Sequence, residues 1–131
     1  MGVKILVISE GDKEFKSLLK KALSKFDGRL KLSFDDRCQL KDDCISGANN
    51  KADIVIINGD NFIFRPECPV CFAAISSPKK DNCAHVLMAT RKFSVESFLF
   101  NQQRGVSETV DISKGPENLV QAISSVIGKP L

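Results

Sequence analysis

The sequence predicts a single doubly wound α/β domain over residues 1–131, and three observations carry that expectation. Three short apolar runs, "VKILVI" (3–8), "ADIVII" (52–57) and "AHVLMA" (84–89), are rich in β-branched residues and nearly uninterrupted, as strands covered on both faces must be. Two further runs, "RLKLSF" (29–34) and "SETVDI" (107–112), alternate polar and apolar residues as edge strands do. The segments between strands are long enough for the helical crossovers that parallel strands require.

Each element has its own signal. After the first strand, Asp12 is a good N-cap, and Phe15, Leu18, Leu19, Ala22, Leu23 and Phe26 share one face of a 3.6-residue repeat. Asp27-Gly28 stops that helix, glycine being free to take the left-handed C-cap conformation. "QLKDDCISGA" (39–48) and "PVCFAAIS" (69–76) are weaker helical candidates, and 59–68 is the one long irregular stretch. Ser94 before Val95, Phe98 and Leu99 starts a short helix. In the last helix Pro116 suits the first turn, Leu119, Val120, Ile123, Val126 and Ile127 form the apolar face, and Gly128 with Pro130 ends it.

An apolar fraction of 43% with 27% charged residues is that of an ordered globular chain. The formal charge is +3, and the basic pairs Lys20-Lys21, Lys79-Lys80 and Arg91-Lys92 are scattered among acidic residues. They read as solvated surface, so nucleic acid is not an expected partner. The first apolar run is too short for a secretory signal and no segment reaches the length of a membrane span. A cytoplasmic location is therefore expected, with the five cysteines mostly reduced.

In doubly wound folds, sites form on the loops after strand C-termini. There the sequence places Ser9-Glu10, Asn58, Thr90 and Ser113-Lys114. "KILVISEGD", "DIVIIN", "VLMATRK" and "DISKGPENLVQAI", in this order and spacing, resemble the receiver domain of two-component response regulators over essentially the whole chain. The resemblance implies a receiver or flavodoxin-like sheet of order 2-1-3-4-5 with helices on both faces. It also implies a phosphoacceptor position at Asn58, a Mg²⁺-binding acidic pair at Ser9 and Glu10, and phosphoryl contacts from Thr90 and Lys114. The match breaks at the chemistry. A carboxamide at Asn58 cannot form an acyl phosphate, and Ser9 leaves Glu10 as the only carboxylate of the pair. Mg²⁺ binding is therefore expected to be weakened, no other cofactor is implied, and Lys114 is free to pair with Glu10. Asp111 sits where the family often has its switch aromatic. Asp60, the alternative phosphoacceptor, is expected beyond the strand end and out of line with Thr90 and Lys114, as a turn residue after Asn58-Gly59.

Cys68 and Cys71, with Cys83 and His85, form a set that zinc accepts. The fold puts the two halves at opposite edges of the sheet, about a strand length of 17–20 Å apart. A reversible Cys68-Cys71 redox pair is the better thiol reading. The favoured reading is plainer: Cys44 and Cys83 are small buried hydrophobes, the Cys68-Cys71 pair is incidental, and His85 is a surface or edge histidine.

The leading expectation is a non-enzymatic pseudo-receiver in signal transduction, acting through a protein partner or a second copy. The resemblance puts that contact on the fourth-helix, fifth-strand and last-helix face. Phe98, Leu99 and Phe100 are consecutive, so they cannot all face the core. The competitors are an active receiver phosphorylated on Asp60 and a thiol or zinc sensor built on Cys68 and Cys71. A nucleotide- or flavin-binding role is disfavoured because "SEGDKEF" has one glycine and three acidic side chains where phosphate needs N–H groups.

Overall fold

A computed structural model describes residues 2–9, 11–26, 28–35, 53–60, 85–96, 98–99 and 108–128. Its strands are β1 (Val3–Ile8), β2 (Leu30–Asp35), β3 (Ile54–Asn58), β4 (His85–Thr90) and β5 (Glu108–Asp111). Its helices are α1 (Lys13–Leu23) and α2 (Glu117–Ile127), with a 3₁₀ turn at Ser24–Phe26 and helical residues at 95–96 and 98–99. The strands form one sheet of order β2-β1-β3-β4-β5, all pairs parallel. This is the doubly wound order expected. The helices expected at 39–48 and 69–76, all five cysteines, Glu10 and Phe100 lie outside the described residues.

The apolar runs become the three central strands because only there are both faces covered. Ile5, Val7, Ile54, Ile56, Leu87 and Ala89 point to one face and pack against Phe15, Leu19 and Leu23 of α1 and Leu119, Ala122 and Ile123 of α2. The alternate set, Leu6, Ile8, Val55, Ile57, Val86 and Met88, is equally buried. β2 and β5, the alternating runs, take the edges.

Boundaries shift where a polar residue has another task. β3 starts at Ile54 because Asp53 closes the sheet's N-terminal edge. Its amide donates to Lys4 O at 2.8 Å, its carboxylate accepts from Lys4 N at 2.9 Å, and its carbonyl accepts from His85 N at 3.0 Å. Asp12 caps α1 by accepting from Phe15 N at 3.0 Å. The helix tightens into 3₁₀ geometry before Phe26, a common way to satisfy the last carbonyls. Gly128 ends α2 at φ 76, in the left-handed region. No helix among the described residues is long and apolar enough to cross a membrane.

Candidate functional site

The C-terminal ends of β1, β3 and β4 meet in one pocket. Ser9, Asn58 and Thr90 are buried there, Asn58 with no exposed surface at all. A buried carboxamide must find partners for both ends. Asn58 Nδ2 donates to Ser9 O at 3.0 Å and, more loosely, to Asp12 Oδ2 at 3.5 Å, while Oδ1 accepts from Asp60 N at 3.0 Å. Gly59 lets β3 turn tightly against β4: its amide donates to Ala89 O at 2.8 Å, and a Cβ there would lie 3.2 Å from that same oxygen.

Asp60 is a turn residue as expected, but the turn brings its side chain inward to Thr90, contrary to the expectation that it lies out of line with that residue. Its side chain is only 3% exposed. Oδ1 accepts from Thr90 Oγ1 at 2.6 Å and Arg91 N at 3.0 Å, and Oδ2 accepts from Arg91 Nε at 2.7 Å. Asp60 is thus in line with Thr90. The side-chain hydrogen bond from Asp60 N to Asn58 draws the loop back over the strand end, a short-range Asx-type turn that no periodicity reveals.

The second correction concerns Arg91, which was grouped with Lys92 as solvated surface. Lys92 is exposed, but Arg91 reaches into the pocket. Its Nη2 meets Asp12 Oδ2 at 2.5 Å while Nε holds Asp60, and its guanidinium lies over the Phe15 ring at 6.0 Å. The contact to exposed Glu14 at 3.7 Å adds little. A hint was available in sequence: an arginine directly after Thr90 and an aspartate two residues past Glu10 both fall at the site edge.

Charge follows geometry. Burial pushes the Asp60 carboxyl up, but hydrogen bonds from Thr90 and Arg91, with the arginine's charge, outweigh it and hold the group below its usual value. Asp12 is lowered first by the Phe15 amide, against some burial, and then by Arg91 and Asn58. Arg91 is raised by Asp60 and Asp12 in turn. Lys114 is exposed, and its charge is felt by Asp111, whose carboxylate is lowered chiefly by hydrogen bonds from Ser113 Oγ at 2.6 Å and Ser113 N at 2.9 Å.

The carboxylates of Asp12 and Asp60 are bonded to a guanidinium, Asn58 is neutral, and no cluster of three or more metal-ligating side chains occurs among the described residues. On the surface beyond Arg91, Phe93 and Phe98 pack ring to ring at 6.1 Å. Phe98 is 36% and Leu99 50% exposed, so this stretch does leave apolar side chains in solvent.

No family model matches the chain, and no curated protein matches it. Solved structures with the same architecture do. A protein assigned to pilus assembly in Burkholderia pseudomallei is 17% identical at a TM-score of 0.71, the match covering 98% of this chain and 92% of that one. A response regulator from Thermotoga maritima is 12% identical at 0.68, covering 98% and 100%. The ChxR receiver domain from Chlamydia trachomatis is 17% identical at 0.67, covering 98% of each. The chain therefore has the receiver, or flavodoxin-like, fold.

Proposed function

We propose that this chain is a signal-transduction module of the receiver type, of the pseudo-receiver kind, whose pocket is closed to phosphorylation at the end of β3 and which acts by binding protein. One observation carries the reading: the pocket supplies its own ions. Asp60 already takes the threonine hydroxyl bond that the resemblance assigns to a phosphoryl group, and the Arg91 N–H beside it. Arg91 provides the cation that Mg²⁺ would otherwise bring. Phosphoryl transfer depends on a free nucleophile and on cations placed against oxygens. Here position 58 carries an amide, and the nearby carboxylate has both oxygens bonded.

The surface formed by Phe93, Val95, Phe98 and Leu99 supports a protein contact, since exposed apolar side chains grouped on one stretch mark interaction sites. Phosphorylation on Asp60 is the rival reading, favoured by its position beside Thr90. Both readings meet in one experiment. Amide shifts are followed on adding Mg²⁺ with beryllofluoride, and intact mass on adding a small acyl-phosphate donor. The expected result is no concerted shift at Asn58, Thr90 and Lys114 and no phosphoryl mass gain. Shifts at all three, with a phosphoryl group mapped to Asp60, would establish the rival.

A further inference from the structure

We propose that Asn58-Gly59 is a deamidation site gated by the fold, at which the neutral amide of the pocket becomes a carboxylate whenever the end of β3 parts from β4. Of the seven asparagines in the chain, Asn58 is the only one followed by glycine. The chemistry needs that neighbour. The Gly59 amide nitrogen attacks Asn58 Cγ, a new N–C bond forms, and the Cγ–Nδ2 bond breaks. Nδ2 leaves as ammonia, carrying away the proton lost by Gly59 N. Water then opens the resulting succinimide at either carbonyl, giving aspartate or isoaspartate. Any side chain on the following residue crowds the attacking nitrogen, and glycine has none.

The folded chain restrains each reacting group. The Gly59 N–H is engaged with Ala89 O at 2.8 Å, the leaving nitrogen donates to Ser9 O at 3.0 Å, and Asn58 Oδ1 is held by Asp60 N. With no exposed surface at Asn58, water does not reach Cγ. Arg91 is the latch: its bonds to Asp60 pin the turn that follows Asn58 onto the end of β4. Conversion in the native protein then proceeds at the unfolded-chain rate multiplied by the open fraction. The aspartate product adds a negative charge beside Asp12 and Asp60. The isoaspartate product lengthens the main chain where Asn58 pairs with Ala89, and is incompatible with that register. The inference rests on these hydrogen bonds and not on whether the pocket accepts phosphate.

The test incubates the whole chain at mildly alkaline pH, in buffer and in guanidinium, and maps the gain of one mass unit by peptide mass spectrometry. In guanidinium, Asn58 should convert ahead of the other asparagines. In buffer it should convert more than about tenfold more slowly, a factor that about 1.4 kcal/mol of opening free energy produces. Native Arg91→Met should fall between the two. Equal rates in buffer and guanidinium, or another asparagine converting first in guanidinium, would overturn the proposal. An unchanged rate in Arg91→Met would overturn the role given to the latch.

Discussion

At residue scale, the amide at the end of β3 is explained by what surrounds it. Asn58 donates toward Ser9 O and Asp12 Oδ2 and accepts from Asp60 N, which a carboxamide can do and an ionised carboxylate cannot. A carboxylate there would face a carbonyl oxygen and a second carboxylate. Asn58→Asp is therefore expected to lose about 1–3 kcal/mol, the cost of buried polar groups left unsatisfied, read as a lower urea midpoint. Arg91→Met removes the cation from a carboxylate that is 3% exposed. Breaking a buried pair costs roughly 3–5 kcal/mol, and since Arg91 is itself 27% exposed the lower end applies. Adding Asp60→Asn to that variant should recover part of the loss, because no unpaired charge then stays buried. Were the double variant as unstable as Arg91→Met alone, the pairing with Asp60 would not be what Arg91 contributes.

At the scale of elements, Asp12 joins two tasks that are usually separate. One carboxylate oxygen caps α1 through Phe15 N and the other receives Arg91, so the helix start is tied to the end of β4. Asp12→Ala should lose both, whereas Asp12→Asn keeps a capping oxygen and loses the charge. The alanine variant is expected to be less stable than the asparagine variant by about 1 kcal/mol, the worth of an N-cap, in chemical denaturation. Equal stability would mean that the ion pair, and not the cap, is what the position contributes.

At the scale of the whole molecule, the two lowered carboxyls of the pocket, Asp12 and Asp60, shape the acid limb of stability, exposed Asp111 adding little. Both have folded-state values below their unfolded ones, so their contribution is full above the unfolded value of about 3.9 and is lost as pH falls through the lower folded values. The chain should be stable and nearly pH-independent through neutrality and lose stability progressively below about pH 4. Arg91→Met should show a shallower loss. Thermal or urea unfolding across that range checks it, and identical slopes for the two proteins would show that Arg91 is not the source of the lowering.

The sheet and both legible helices could be read from residues alone. Burial on two faces demands long apolar runs at β1, β3 and β4, and amphipathic spacing from Phe15 to Leu23 and Leu119 to Ile127 follows from helical geometry. So could the absence of a carboxylate at position 58, since that is a matter of side-chain type alone. The charge arrangement of the pocket could not. Arg91 and Lys92 are neighbours of the same type, yet only one turns inward. Asp60 looks like a turn residue until Asn58 draws it back over the strand. Asp12 and Arg91 are 79 positions apart and meet only because β1 and β4 flank β3 in parallel, with their ends level. Local pattern determines which segments are buried and how they coil. Which charged groups share a pocket is decided by strand order and register, and these exist only once the sheet is assembled.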